Sequence, residues 1–422
     1  AGYSSHAIMM SNGAKLNINA GDGGINVQAN GGSGDTWALY VDKAPVANLI
    51  TSGNITLTAT NDSVNQYAYG INSGAVSAGN NLRVDGANVE ITAENKNGGA
   101  VGINAQNRYY ASTSGEQWPE EYVNQTNIVS DKDIRINATS GNSSAMGVNV
   151  YNSDLNLTSE TGSAYITANG TGSYGILAQS IAQYEGEIAG NSNINVASAV
   201  SNYVKSSGTG IASWYDNSIV NLIAKTGSNQ VQANGIGIYN YGGAQANMTA
   251  GNGFNTVSSQ TSAAIQNNGA DGSVSLQAQG NSLEGYNAIV GYGGDIDLTA
   301  ATVNNELTVD GYGIYAVTNA DVDLTAEKGQ NYLESGALGI GIYADDSTVD
   351  LQAKANTLNI AADAAGYGSR HAVKAANKAV VNLNAIAGNN EVAGVIYAKD
   401  EGTVVTLDHN ITDKNGDIVG KG

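Results

Sequence analysis

The feature that most constrains this chain is a unit recurring from end to end: a small residue, usually glycine, followed by an aliphatic residue and often by Tyr or Asn. It reads Tyr312-Gly313-Ile314-Tyr315-Ala316 in one place and Gly341-Ile342-Tyr343-Ala344 in the next. Taking the aliphatic residue as an anchor, anchors fall at Ile8, Leu39, Ile71, Ile103, Val148, Ile176, Ile211, Ile238, Ile265, Ile289, Ile314, Ile342, Val373 and Ile396. Most intervals are about 23 to 32 residues, the range of architectures that stack one supersecondary unit on itself instead of closing round a single core.

A second unit follows the anchors, with two apolar residues separated by one polar residue and usually closed by Ala: Ile55-Thr56-Leu57-Thr58-Ala59, Ile296-Asp297-Leu298-Thr299-Ala300 and Val322-Asp323-Leu324-Thr325-Ala326. Strict alternation in β-branched sequence specifies a strand with one buried face. A third, weaker alternation closes many periods, at Ile25-Asn26-Val27, Val231-Gln232-Ala233, Leu307-Thr308-Val309 and Leu358-Asn359-Ile360. Three strands per period imply three faces per coil. The expected fold is all-β: a single-stack parallel β-helix, or β-solenoid, of about fourteen three-faced rungs, continuous over residues 1–422. Neighbouring coils about 4.8 Å apart would pair their backbones and bury the inward columns. Gly and Asn suit the corners, where φ > 0 is needed.

Composition supports a core and narrows the partners. The chain is 41% hydrophobic with regularly placed Ile, Val, Leu and Ala, which a disordered acidic chain lacks. It has no cysteine, so disulfides, thiolate metal sites and cysteine nucleophiles are excluded, and such a chain suits passage through an oxidising compartment. A formal net charge of −20 argues against nucleic acid and against docking on anionic lipid. No apolar run reaches the ~18 to 20 residues of a membrane span, so direct membrane insertion is not expected. Because Ala1 opens within a repeat, the chain reads as a mature fragment.

Four stretches from anchor to second strand are unusually long: 40–54, 72–88, 104–133 and 177–193. In a solenoid the same corner recurs on every rung, so these are expected to project as insertions from one edge. The longest, 104–133, holds Arg108, Tyr109, Tyr110, Trp118, Glu120, Glu121 and Tyr122, and nearby rungs add Tyr184, Trp214 and Tyr215. Aromatics on loops carried by a rigid scaffold suit partner binding; they equally suit packing of a long loop onto the scaffold.

The polar position inside the second strand should form an outward column in which Asp297, Asp323 and Asp350 stack, flanked by Asp295 and Asp321. Like charges so close repel. Either the side chains are solvated, which is the expected arrangement and discourages sideways aggregation, or a calcium ion offsets the repulsion; no other cofactor is suggested. β-Helix lyases and hydrolases also use acidic grooves, but no Lys or Arg lies between Asp295 and Asp323 to complete such a site. His6, His371 and His409 sit on distant rungs, so no metal cluster or Ser-His-Asp arrangement is indicated. After the anchor stand Tyr239, Tyr315, Tyr343 and Tyr397, with Asn72, Asn104 and Asn149 in the same position elsewhere. That outward stripe could meet sugars or another copy, or reflect the ordinary preference of Tyr for strands.

The Gly-Ile-Tyr-Ala and Val-Asp-Leu-Thr-Ala units, with the Asn, Gly, Thr and Ser richness, the lack of Cys and the acidity, resemble passenger domains of Gram-negative autotransporters, type V secreted, particularly self-associating and host-binding adhesins. The resemblance covers the whole chain but is compositional and periodic. It implies a right-handed β-helix, export through a translocator barrel that is not in this sequence, and display at the bacterial cell surface. Two-partner secreted exoproteins look similar. Serine-protease members carry Gly-Asp-Ser-Gly, whereas this chain has Gly21-Asp22-Gly23-Gly24. The expectation is a non-enzymatic surface adhesin that binds copies of itself, giving aggregation and biofilm, or host glycans and proteins. The alternatives are a polysaccharide-degrading β-helix enzyme and an inert stalk.

Overall fold

The computed structural model describes residues 4–42, 46–75, 80–107, 124–181, 190–336, 339–361, 371–412 and 418–421. Among them lie 39 strands and no helix, so none that is long and apolar enough to cross a membrane. The strands stack in parallel as a β-solenoid of about 13 turns, matching a right-handed parallel β-helix. Fourteen anchors bound thirteen intervals, which accounts for the difference from the expected rung count. One antiparallel pairing is present, between Asn410–Thr412 and Ile418–Lys421.

Contacts divide the chain into two units, Ala1–Lys225 and Thr226–Gly422. In the first unit the anchors Ile8, Leu39, Ile71, Ile103, Val148, Ile176 and Ile211 pair successively in register on the first face. In the second, Ile238, Ile265, Ile289, Ile314, Ile342, Val373 and Ile396 do the same. The second unit's other faces carry equally regular columns: Met248, Leu276, Leu298, Leu324, Leu351 and Leu383 on the second face, and Val257, Leu283, Leu307, Leu333 and Leu358 on the third. The side chains of these second-face and third-face columns are buried, and each such burial contributes about 1.5 to 3 kcal/mol.

The small residue before the anchor has a steric cause. A Cβ built on Gly102 would lie 2.5 Å from the Cγ2 of Ile136 on the third face and 2.6 Å from the carbonyl oxygen of Gly147 on the next rung. Gly313 is equally confined, 2.5 Å from a Leu333 methyl and 2.6 Å from the Gly341 carbonyl. On these rungs the inward bend that lets two consecutive residues face the core leaves no room for a Cβ at the first of them, whereas Ala38, Ala264, Ala288 and Ala372 fill the same position elsewhere.

The long stretches after Leu39, Ile71 and Ile103 hold second-face strands and are not insertions throughout. Ile55, Val89 and Ile134 belong to the third face, where they continue the column from Ile25. The second strands of those rungs are Val46–Ile50, Asn81–Gly86 and Gln125–Ser130, inside the stretches expected to be insertions. Their alternation is masked by atypical residues: Ala47 and Thr126 occupy inward positions and Arg83 stands between Leu82 and Val84. Stretches 40–54 and 72–88 are therefore mostly strand, and 104–133 contains strand at both ends. In 177–193 the opening residues finish the strand Tyr174–Gln179, while Ile194 is a second-face residue as expected. The remainders, 43–45, 76–79, 108–123 and 182–189, lie outside the described residues; each joins a first-face strand to a second-face strand.

Candidate functional site

Parallel in-register pairing repeats each outward side chain of the solenoid at the rung spacing of about 4.8 Å, so that the described surface is organised in columns. On the second face of the first unit that column is made of asparagines. Asn156 donates to Asn127 at 3.0 Å, Asn195 to Asn156 at 2.9 Å and Asn221 to Asn195 at 2.7 Å, and Asn48 donates to Asn17 at 2.7 Å. Between these runs Arg83 interrupts the ladder and turns to Asp85, 2.6 Å away.

On the second face of the second unit the same column is acidic. Asp297, Asp323 and Asp350 are in-register neighbours, and Asp295 stands opposite Asp321, as the sequence requires. Burial and then the carboxylates of Asp321, Asp350, Asp297 and Asp295 push the Asp323 carboxyl up to about 6. Asp297 is raised by burial and by Asp295, and Asp321 by burial and by Asp295, Asp350 and Asp297. At the far end Asn382 donates to Asp350 at 2.5 Å. Among the described residues no group of three or more acids or histidines is arranged to hold a metal ion. A basic residue that sequence separation hides does come near: Lys378 lines one shallow groove with Asp321 and Asp346.

Beyond Asp350 the face opens into a groove of about 310 Å³ lined by Asp350, Gln352, Asn382, Asn384, Thr406 and Asp408. Apart from Asp350, none of these drew notice in the sequence. Asn382 and Thr406 continue the column of Asp350, and Gln352, Asn384 and Asp408 hold the second polar position of their strands, two residues on.

The post-anchor stripe is only partly what the sequence implies. Tyr315 and Tyr343 stack at 5.0 Å with planes 9° apart, Tyr312 meets both edgewise, and the Lys374 ammonium lies 5.3 Å from the Tyr343 ring centre. The stacked ring faces are therefore occupied by each other and by Lys374. Tyr239 lies three rungs from Tyr315, separated by Gln266 and Val290, and Tyr397 follows Lys374. The Asn members form a ladder, Asn104 to Asn72 at 2.7 Å and Asn149 to Asn104 at 2.8 Å. Asn104 and Asn149 are 3% and 8% exposed, so this part of the stripe does not face solvent.

Arg108, Tyr109, Tyr110, Trp118, Glu120, Glu121 and Tyr122 lie outside the described residues, as does Tyr184. Trp214 packs edge-on against Tyr174 at 5.6 Å, and Tyr215 is exposed with φ 70°. Of the histidines, His6 stacks on Trp37 at 4.5 Å, His371 meets Tyr397 edgewise and His409 sits 3.6 Å from Asp408. Two aromatic columns escaped the sequence reading: His6, Trp37 and Tyr69 on the first face, and Arg135, Tyr165 and Tyr203 on the third.

The second unit also contains a buried column that no repeat motif announced. Asn229, Asn255, Asn281, Asn305, Asn331, Asn356 and Asn390 follow one another through side-chain hydrogen bonds of 2.8 to 3.1 Å. Each stands two residues before the inward aliphatic of its third strand. Against this geometry, no protein-family model, curated protein or solved structure matches the chain.

Proposed function

We propose that the chain is a bacterial surface adhesin, exported and displayed as an autotransporter-type passenger, that mediates self-association and biofilm or attachment to host surfaces. The observation that carries this reading is the in-register polar columns on the outward second face, amide in one unit and carboxylate in the other. Repetition of weak polar contacts along such a face supplies avidity without a deep pocket, since each bond made raises the effective concentration of the next. The test is display on a non-aggregating bacterium mixed with non-displaying cells, with and without host cells. Clusters of displaying cells alone indicate self-association, recruitment to host cells indicates attachment, and neither outcome leaves adhesion without support.

A second reading has one specific observation in its favour. Lys378 shares a groove with Asp321 and Asp346, and Asp323, with its raised pKa, stands two residues from Asp321. The groove's own Asp321 is raised by burial and by Asp295, Asp350 and Asp297, and a raised carboxyl sharing a groove with a lysine suits acid and base work on a polysaccharide. Release of reducing or unsaturated ends from acidic polysaccharides by the purified chain, lost in Lys378→Ala, would establish that activity.

A further inference from the structure

We propose that the groove on the second face between Asp350 and Asp408 is a binding site for a neutral saccharide, with sugar units laid along successive rungs; the proposal rests on the adhesin reading and names its ligand class. The groove crosses three in-register strands, because Asp350 pairs with Asn382 and Asn382 with Thr406, while Gln352 pairs with Asn384 and Asn384 with Asp408. Two parallel rows of three polar side chains therefore line about 310 Å³, the lower end of the range for small-molecule sites.

The chemistry of the rows selects the ligand. Gln352, Asn382 and Asn384 each carry both donors and acceptors, Thr406 can do either, and the two carboxylates accept. A sugar hydroxyl is likewise both donor and acceptor, so a chain of hydroxyls at repeating intervals can pair with every group along the groove. An anion would meet Asp350 and Asp408 with no Lys or Arg among the lining residues. An ammonium group would satisfy a carboxylate and leave the amides between them unpaired, because Asp350 and Asp408 occupy different rows and rungs. An apolar ligand would bury polar groups of this lining that water now satisfies, at a cost of about 1 to 3 kcal/mol for each group left unpaired.

The lining is also partly set in place. Asn382 is held by its bond to Asp350, and the inward neighbours Leu351 and Leu383 are buried, which fixes the strands beneath. Fixed donors and acceptors reduce the ordering that binding requires.

The test is saturation-transfer NMR and calorimetry on the 422-residue chain with maltohexaose, cellohexaose and chitohexaose as neutral probes and hexalysine as a cationic one. At least one neutral hexasaccharide is expected to bind. Its Kd should rise about ten-fold or more in Gln352→Ala/Asn384→Ala, and measurably in Thr406→Val, and stay unchanged in Gln232→Ala, exposed on a third-face strand. Thermal melts identify variants that fail to fold, and Thr406→Val, at an exposed position, keeps the test open if the double variant does. Absence of binding by all three saccharides, an unchanged Kd in both groove variants, or displacement of the saccharide by hexalysine overturns the proposal. Display of the double variant on cells separates the two readings. Saccharide binding by a chain whose cells neither cluster nor attach retains the groove and removes the adhesin reading; adhesion undiminished by the double variant retains adhesion and removes this groove as its site.

Discussion

Asn331 donates its side-chain N–H to the side-chain oxygen (Oδ1) of Asn356 one rung on, at 3.0 Å, with both residues at most 1% exposed. The same amide also donates to the Leu324 backbone at 2.9 Å and accepts from Asn305 at 2.9 Å. Replacing it empties one link of a ladder whose other members cannot turn to water.

Asn331→Ala should therefore destabilise the second unit by about 2 to 4 kcal/mol, since partners are left unsatisfied on both neighbouring rungs and on the Leu324 carbonyl. Asn156→Ala removes bonds of similar length from a half-buried outward ladder, where water can replace them, and should cost about 0.5 kcal/mol. Urea midpoints of the two variants check the contrast; equal losses would mean that the buried column is not special.

Gly313→Ala should cost about 1 to 3 kcal/mol, because the new methyl meets a Leu333 methyl and the Gly341 carbonyl oxygen and one rung must yield. Gly74→Ala is the control, since a Cβ there meets nothing within 4 Å. Thermal melts should shift for the first and hold for the second.

The Asp323 carboxyl titrates at about 6 in the folded chain against 3.8 when free of its neighbours. A raised carboxyl pKa means that the folded state binds the proton more tightly. This group thus adds stability that is fully present below about 3.8 and lost as pH rises through about 6. Screening at this partly exposed site holds the effect to about 1 kcal/mol or less. Asp323→Asn should raise the melting temperature at pH 7.5, flatten its dependence on pH between these limits, and allow an amide link of the kind that joins Asn156 to Asn127. Carbon-13 titration of the Asp323 carboxyl gives the value directly, and a normal carboxylate value would remove the basis of the prediction.

These contrasts mark what was legible in the chain. The anchors were readable because a branched residue after a small one, at a regular interval, has few substitutes, and all of those from Ile8 to Ile211 and from Ile238 to Ile396 pair in register. The Asp297, Asp323 and Asp350 column followed from period two alone. Face assignment failed where the first unit's third strands, such as Ile55-Thr56-Leu57-Thr58-Ala59, look like the second unit's second strands, such as Ile296-Asp297-Leu298-Thr299-Ala300. Alternation tells a strand which side is inward but not which face of the coil it occupies. The buried asparagines were overlooked because Asn was expected at exposed corners, whereas here stacking supplies each amide with partners. Lys378 and the groove from Asp350 to Asp408 depend on neighbours about one rung apart in space and some 30 residues apart in sequence.

Segment 108–123 joins the strand Gly99–Asn107 to the strand Gln125–Ser130, and both strands pair in register with the rungs before and after them. Asn124, just before the second strand, is buried and donates to the Ser73 carbonyl at 2.7 Å, while the Ser73 hydroxyl donates back at 3.0 Å. The ladder on either side is thus anchored by its own backbone pairing and by Asn124. Replacing Arg108–Tyr122 by a short Gly-Ser link should leave the far-ultraviolet circular dichroism and the melting temperature close to those of the parent chain. Retained stability with diminished clustering of displaying cells, or diminished attachment to host cells, would assign partner binding to the aromatic segment. Retained stability with unchanged adhesion would leave adhesion to the outward columns of the solenoid, and a large loss of stability would show that Arg108–Tyr122 packs onto the rungs that carry it.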